Sequence, residues 1–207
     1  MTNEPRFLAP ATARNRGPIL EVLRRVLPAS GRVLEIAAGT GDHAVHFAGS
    51  LPGLDWRPTE ADPRMLPEID ARRLASGLAN LRDARLLAIE APDWAARAGI
   101  AEPPLDAIAA INMVHIAPWM ATEHLFAGAS DALAPNGVLF LYGPYRRGGS
   151  HTAPSNEQFD ALLRCHDPAW GVRDLEAVTR LGEAGGLILE EIIEMPSNNL
   201  SLVFRRA

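Results

Sequence analysis

The sequence is poor in several residue types, and each shortage excludes a class of protein. Cys165 is the only cysteine, which excludes a disulfide within the chain and a cysteine-based metal cluster. All 20 basic residues are arginine, and the formal net charge of -5 gives no general attraction to nucleic acid. No apolar run approaches the roughly 20 residues of a membrane span, and residues 1–10 lack the apolar core of a signal peptide. We therefore expect a cytoplasmic protein with no nucleic-acid or membrane partner.

Length and composition indicate a folded globular chain. With 207 residues the sequence is long enough for one α/β domain and too short for two ordinary ones, so we expect a single domain over residues 1–207. Hydrophobic residues make up 47% of the chain and charged residues 22%, which is ordinary for a globular protein. Length and composition carry no information about the oligomeric state.

Residues 32–43 have the pattern of a strand, a glycine turn and the start of a helix. The first part is a short apolar run, typical of a central strand that is buried on both faces. Gly39 and Gly41 then allow positive φ angles and a close approach of the backbone to a ligand. The helix that follows would begin with its free N–H groups facing this turn. The pattern predicts a loop that binds a nucleotide-containing cofactor.

Two cofactors compete for this loop. Gly39-x-Gly41-x-x-Ala44 fits the dinucleotide fingerprint, and Glu60 lies about 20 residues further on, where such folds place an acid that binds ribose. Glu35 argues against NAD, because a carboxylate just ahead of the turn would repel a pyrophosphate. S-adenosylmethionine (SAM) suits the loop better, since it has no phosphate and carries ammonium and sulfonium charges. We therefore predict SAM and keep NAD as the alternative.

The rest of the chain alternates between strand and helix patterns, which implies right-handed crossovers and a parallel sheet. Strands are predicted at 54–60, 84–89, 105–111 and 138–142, and an antiparallel hairpin at 187–195 and 199–205. Pro58 lies within the first of these strands and disfavours a central position in the sheet, because proline has no N–H group to donate to a neighbouring strand. Residues 145–154 are predicted to be a loop, and Ser155 has the capping-box spacing that begins a helix.

In an open parallel sheet, ligands bind beyond the carboxyl ends of the strands, where the strand order reverses. This rule selects the polar segments that follow the predicted strands. They are residues 37–43, 60–62, 90–94, 112–115 and 143–151, together with the hairpin turn 196–199. We expect the functional site along this rim.

The spacing Glu35-x-Ala37-x-Gly39-x-Gly41 resembles the first motif of class I SAM-dependent methyltransferases, with Ala37 in place of the first glycine. The resemblance implies an α/β, Rossmann-like fold with a mostly parallel seven-stranded sheet, helices on both faces and a C-terminal antiparallel β-hairpin. It also implies that the loop holds the methionine moiety, that Glu60 binds ribose, and that S-adenosylhomocysteine (SAH) is the product. The cofactor-binding residues predicted in this way are Glu35, Ala37, Gly39, Gly41, His43, Glu60, Ala61, Glu90, Ala91 and Asn112.

Other motifs resemble the small, functionally unassigned family that includes methyltransferase-like protein 26. They are Arg14-Asn15 and the segments 111–119, 141–145, 155–160, 170–174 and 195–200. The resemblance extends over nearly the whole chain. It implies the SAM-binding fold without implying a substrate.

Methyl transfer needs an in-line approach of the acceptor, and it needs a base only when the acceptor is protonated. His115 is the candidate base, because imidazole titrates near neutrality and this residue follows a strand end; a capping or packing role is the alternative. Asn112-Met113-Val114-His115 departs from the Asn-Pro-Pro-aromatic motif of many amino-group methyltransferases, which disfavours methylation of exocyclic amines in DNA. The predicted acceptor pocket contains Arg14, Asn15, Tyr142, Tyr145, His151, Asn198 and Asn199.

These observations predict a SAM-dependent methyltransferase that acts on a small molecule. Two alternatives stay open, namely a SAM-binding regulatory or scaffold protein without turnover and an NAD-dependent oxidoreductase. His43 and His46 lie one helical turn apart, but no third ligand is near them in the sequence, so we expect no metal site.

Overall fold

The structure of the protein is a computed structural model that describes residues 9–100 and 102–207. Of the stretch 1–10, for which the sequence predicts no signal peptide, residues 1–8 lie outside the described part. None of the described helices is long and apolar enough to cross a membrane.

The described residues form ten strands, and seven of them build the main sheet. They are β1 (Gly31–Ile36), β2 (Leu54–Glu60), β3 (Arg85–Leu86), β4 (Leu105–Ile111), β5 (Leu133–Gly143), β6 (Tyr145–Arg147), β7 (Ser150–His151), β8 (Arg173–Asp174), β9 (Leu187–Met195) and β10 (Asn199–Arg206). The main sheet has the order β3-β2-β1-β4-β5-β10-β9. Its first five strands are parallel, and β10 is antiparallel to both β5 and β9. The predicted C-terminal hairpin is therefore confirmed.

Helices cover both faces of this sheet. They are α1 (Ala9–Val26), α2 (Asp42–Ser50), α3 (Leu66–Ser76), α4 (Trp94–Arg97), α5 (Trp119–Ala132), α6 (Pro154–His166) and α7 (Leu175–Ala184). Buried residues of α1 and α2, such as Leu23 and Phe47, pack with Trp56 on one face. On the other face Phe126 of α5 stacks edge-to-face on Phe204 of β10, with ring centroids 5.0 Å apart. Burial of apolar surface on both faces is what the apolar central strands predict.

The strand order reverses between β1 and β4, because β1 leads to β2 on one side and pairs with β4 on the other. The carboxyl ends of the parallel strands share one edge of the sheet. The antiparallel strand β10 begins at that edge, where Leu200 pairs with Gly143. Residues that are far apart in sequence therefore meet along one rim.

Three local predictions are wrong. The strand expected at 84–89 is reduced to Arg85–Leu86, because it lies at the sheet edge and pairs only with Thr59 and Glu60. The expected loop 145–154 contains β6 and β7, which form a small sheet with β8. Gly148 and Gly149, with φ of 57° and 76°, make the two-residue turn that this hairpin requires.

The third wrong prediction concerns Ser155, which is not the helix cap. Helix α6 begins at Pro154 with Ala153 in the cap position, because proline suits the first helical residue. The Ser155 hydroxyl instead accepts a hydrogen bond of 3.2 Å from Asn198.

Pro58 is accommodated inside β2 because of its position. The backbone groups of Trp56 bond to Asn80 and Arg82, and the carbonyl of Glu60 bonds to Leu87. Pro58 lies two residues from each of these contacts, opposite a segment that forms no strand. The missing N–H group of proline therefore leaves no neighbouring strand without a hydrogen bond.

Candidate functional site

The loop between β1 and α2 contains three residues with positive φ. Ala37, Gly39 and Gly41 have φ of 56°, 58° and 82°. Ala37 adopts the left-handed conformation at a cost of roughly 1–2 kcal/mol, so its methyl group strains the turn without closing it. A Cβ built on Gly39 would meet no atom within 4 Å, so packing within the chain does not require glycine there. The space beside Gly39 is open to a ligand.

The side chain of Glu60, at the end of β2, is hydrogen-bonded to this loop. Its Oε2 accepts a hydrogen bond of 2.8 Å from the Gly39 amide. Its Oε1 accepts one of 2.8 Å from the Ala61 amide and a longer one of 3.4 Å from Asp62. An ionised carboxylate offers about four acceptor positions, so Glu60 keeps capacity for a ligand hydroxyl. Ala61 itself is exposed beside it.

Glu35 lies beneath the loop and is 2% exposed. Its Oε2 accepts a hydrogen bond of 2.7 Å from the Trp56 indole, and its backbone carbonyl accepts one of 2.7 Å from the Thr59 hydroxyl. Burial raises the pKa of Glu35 to about 7, the Trp56 hydrogen bond opposes this, and the charge of Glu60 adds to it. The side chain is thus directed at Trp56, and contact with a cofactor ammonium stays a prediction.

The other side of the loop is held by helix α3. Arg72 donates from Nε to the Thr40 carbonyl at 2.8 Å. The same guanidinium lies 3.5 Å from Asp42, which accepts a hydrogen bond of 2.8 Å from the Thr40 hydroxyl. Glu60 and Arg72 therefore hold the loop from β2 and α3.

Glu90, Ala91 and Asn112 follow β3 and β4 at the same edge. Glu90 is exposed and Ala91 is half-buried. Asn112 has a left-handed φ of 58°, and its backbone N–H donates to the backbone carbonyl of Tyr142 at 2.7 Å. Asn112 therefore joins the carboxyl ends of β4 and β5.

Four polar residues from separate elements meet next to this edge, and we call them the Tyr142 cluster: Asn15 of α1, His43 of α2, Tyr142 of β5 and Asn199 of β10. His43 Nε2 and Asn15 Oδ1 are 2.8 Å apart. Asn15 and Asn199 lie near enough to Tyr142 to lower its pKa. Arg14 is exposed, and its positive charge acts on Tyr142.

Burial sets the ionisation of this cluster. It lowers the pKa of His43 to about 4, with the charges of His46 and Arg16 adding to the effect and that of Asp42 opposing it. The pKa of Tyr142 is raised by burial, against the opposing hydrogen bonds from Asn15 and Asn199. Both side chains are therefore neutral at physiological pH.

His115 and Tyr145 lie in the interior, and His115 Nε2 would be 2.3 Å from a Cβ built on Gly143, the residue after Tyr142. Both are 0% exposed, and their rings meet edge-to-face with centroids 5.0 Å apart. Neither imidazole nitrogen nor the Tyr145 hydroxyl has a hydrogen-bonding partner of ordinary geometry among the described residues. Burial lowers the pKa of His115 to about 3, and Arg173 adds to the effect. Such an imidazole is a weak base, so general-base catalysis by His115 stays a prediction that its burial does not favour.

The remaining predicted pocket residues face helix α6. His151 Nε2 lies 3.6 Å from Asp160. Asn198 donates to Ser155, and its carbonyl accepts a hydrogen bond of 2.9 Å from Asn156. Asn15 and Asn199 thus act on Tyr142, whereas His151 and Asn198 contact helix α6 and Tyr145 packs on His115. His43 and His46 belong to no group of three potential metal ligands within the described residues.

A family model described as "Protein of unknown function (DUF938)" matches residues 6–206. The chain belongs to this DUF938 family. Comparison with solved structures then defines the fold of this family member. An O-methyltransferase family protein from Burkholderia thailandensis superposes with a TM-score of 0.79 at 13% identity, over 95% of this chain and 57% of that one.

Two further solved structures are similar. The mitomycin 7-O-methyltransferase MmcR matches with a TM-score of 0.75 at 17% identity, over 95% of this chain and 54% of that one. CalO1, a methyltransferase of calicheamicin biosynthesis in its SAH-bound form, matches with a TM-score of 0.70 at 16% identity, over 94% of this chain and 54% of that one. The DUF938 chain spans just over half the length of these proteins. Together with the strand order, the comparisons show a class I methyltransferase fold, as predicted.

Sequence reasoning missed Trp56 and Arg72, which both support the loop. Trp56 occupies an inward position of β2, a pattern that indicates a core residue but not its hydrogen bond to Glu35. Arg72 lies 32 residues after Thr40, and no spacing rule connects two such positions. Both contacts become visible only in three dimensions.

Proposed function

We propose that this DUF938 protein is a SAM-dependent methyltransferase of a small molecule. The observation that carries the proposal is the loop at the point of strand reversal, where left-handed residues leave open space beside Gly39 and Glu60 closes the far side. Ligands of open α/β sheets bind at such a point. The names of the similar structures, which include a mitomycin 7-O-methyltransferase and a methyltransferase of calicheamicin biosynthesis, favour a small-molecule acceptor.

The residues around the loop fit SAM. The backbone of Gly39 and Gly41 would hold the methionine moiety, and the free acceptor capacity of Glu60 would bind ribose hydroxyls. Ala61 is exposed, as an apolar contact for adenine must be, and Glu90 or the Ala91 amide would meet the edge of the adenine.

When bound, SAM supplies a methyl group that is already activated by its positive sulfonium. The chain then has to orient the acceptor and exclude water, and positioning of this kind can supply most of the catalysis. Asn112 and Tyr142 bring the ends of β4 and β5 together through the hydrogen bond of 2.7 Å, and so define one wall of the acceptor position. Asn15 of α1 and Asn199 of β10 would border the same region, since both act on the pKa of Tyr142.

Finer assignments belong to the same proposal. We propose one domain over residues 1–207, related to the family that includes methyltransferase-like protein 26. A cytoplasmic location is proposed because Cys165 is free and exposed, a state that a reducing compartment preserves. SAM binding without turnover is the alternative, and a methylation assay separates the two.

The test is a screen of metabolite extracts with methyl-labelled SAM, run beside calorimetry with SAH. We expect SAH binding and at least one labelled small molecule. Binding without any labelled product would favour the regulatory alternative. His115→Ala is the informative variant for the mechanism. As a lost general base it would slow labelling by about 10²–10⁴-fold while SAH affinity stays unchanged. Full activity of the variant would remove His115 from the reaction.

A further inference from the structure

An open groove lies between helices α1, α2 and α3, and we call it the basic groove. Its volume is about 370 Å³, which falls within the range of roughly 300–1,000 Å³ that is typical of small-molecule sites. Its charged and polar lining residues are Arg16 of α1, Asp42 and His46 of α2, and Arg72 and Ser76 of α3. The basic groove therefore has the size of a ligand site and contains cationic side chains from two helices.

Arg16 brings a positive charge that no described carboxylate neutralises. Its side chain is exposed, and it forms no ion pair within residues 9–100 and 102–207. A guanidinium presents its N–H donors in a planar fork that suits the oxygens of an anion. Arg16 is therefore free to bind an anionic ligand in the groove.

Arg72 has donors that the protein does not use. Its Nε donates to the Thr40 carbonyl at 2.8 Å, and its Nη2 donates to Glu68 at 2.9 Å. A guanidinium has five N–H donors, so both N–H groups of Nη1 are left without an acceptor in the described part of the chain. Asp42 lies 3.5 Å from the same guanidinium and accepts a hydrogen bond of 2.8 Å from the Thr40 hydroxyl, so its charge is already engaged.

His46 contributes a buried nitrogen without a partner. Its Nε2 has no hydrogen bond among the described residues, and an unsatisfied buried group of this kind costs about 1–3 kcal/mol. Burial lowers the pKa of His46, and the charges of Arg16 and Arg24 add to the effect, so the imidazole is neutral at physiological pH. A neutral imidazole protonated at Nε2 donates one hydrogen bond. Ser76 adds no donor, because its hydroxyl already donates to the Arg73 carbonyl at 2.7 Å.

We propose that the basic groove binds the phosphate group of a small organic phosphate through Arg16, His46 and Arg72. Donors from three helices suit a tetrahedral group with three acceptor oxygens better than a planar carboxylate with two. The groove is large enough to hold an organic part beside the phosphate. The inference does not rest on the methyltransferase proposal, since Gly39 and Glu60 do not line this groove.

The experiment titrates phenyl phosphate, benzoate and benzyl alcohol into the whole protein at pH 8 and constant ionic strength, and follows the histidine ring protons by NMR. The variant His46→Leu identifies the His46 signals by their absence. We expect phenyl phosphate to shift these signals saturably, and we expect the other two probes to bind about tenfold or more weakly. Arg16→Gln should weaken phenyl phosphate binding about tenfold or more, because a charged hydrogen bond is lost.

Arg73→Gln is the matched control. It removes the same charge from α3, but Arg73 pairs with Asp70 at 3.0 Å and does not line the groove, so its affinity for phenyl phosphate should be that of the wild type. Absence of a saturable shift of the His46 signals would overturn the proposal. Equal losses in Arg16→Gln and Arg73→Gln would also overturn it, because they would indicate a general effect of charge.

Two further comparisons define the ligand and the site. Binding of benzoate as tight as that of phenyl phosphate would refute the assignment to phosphate. Repeating the titration with saturating SAH separates the basic groove from the cofactor loop. We expect phenyl phosphate to bind at least as tightly when SAH is present, because Arg72 also holds the Thr40 carbonyl of that loop. Displacement of phenyl phosphate by SAH would place the anion in the cofactor site and overturn the proposal.

Discussion

Glu35 provides a quantitative test of how the cofactor loop is supported. Its side chain is 2% exposed, and burial raises its pKa from 4.5 to about 7. A shift of this size corresponds to about 3 kcal/mol between the two protonation states. In the unfolded chain Glu35 ionises near its ordinary pKa, whereas the folded protein keeps the proton until the pH approaches 7. The native state therefore binds more protons between these values, and the contribution of Glu35 to stability falls as the pH rises through this window.

The substitution Glu35→Gln removes the charge and keeps an oxygen that accepts the Trp56 indole N–H. At pH 8 we expect the variant to be more stable than the wild type by up to about 3 kcal/mol, and near pH 4.5 the difference should almost vanish. The assay is urea unfolding followed by tryptophan fluorescence at intervals of one pH unit. Comparing the two proteins at each pH cancels the contributions of His43 and His115, whose lowered pKa values reduce stability in acid.

Glu123→Gln is the matched control for this experiment. Glu123 accepts a hydrogen bond of 2.9 Å from the Trp119 indole, but this pair is exposed. Its substitution should change stability little and equally at every pH. A Glu35→Gln difference that did not change with pH, or a variant less stable than the wild type at pH 8, would show that the buried Glu35 charge does not destabilise the fold.

The remaining predictions concern the loop. Gly39→Ala should cost about 1 kcal/mol of stability from strain at φ 58° and also abolish SAH binding, whereas Gly77→Ala, at φ 65° with equally open surroundings, should cost stability alone. Glu60→Ala should weaken SAH binding by about 1–3 kcal/mol in calorimetry, because a charged acceptor is lost; unchanged affinity would remove Glu60 from the cofactor site. Arg72→Gln should lower SAH affinity several-fold by releasing the Thr40 carbonyl, and Arg73→Gln, which disrupts a pair with Asp70, should not.

The parts of the fold that were predicted correctly are those with strong local signals. Gly39 and Gly41 follow an apolar strand, and the structure places them in the left-handed turn that glycine favours. The hairpin of β9 and β10 forms around the predicted turn at Pro196–Asn198. Both signals lie within a few residues of the structure they specify, which is why the sequence alone suffices.

The errors arise where tertiary contacts decide. The length of β3 depends on how much of β2 is available to pair with it. The rim rule selected Asn199 but neither Asn15 nor Tyr142, because it picks segments that follow strands and does not say which other side chains point toward them. The small sheet could have been predicted from Gly148-Gly149, a recognised hairpin signal.

We propose that the loop between β1 and α2 binds SAM. Isothermal titration of the wild-type protein with SAH and, separately, with NAD tests it most directly. We predict a saturable 1:1 heat signal with SAH that Glu60→Ala weakens, and no binding of NAD, because a pyrophosphate would lie near Glu35 and Glu60. Tight binding of NAD together with no response to SAH would contradict the account.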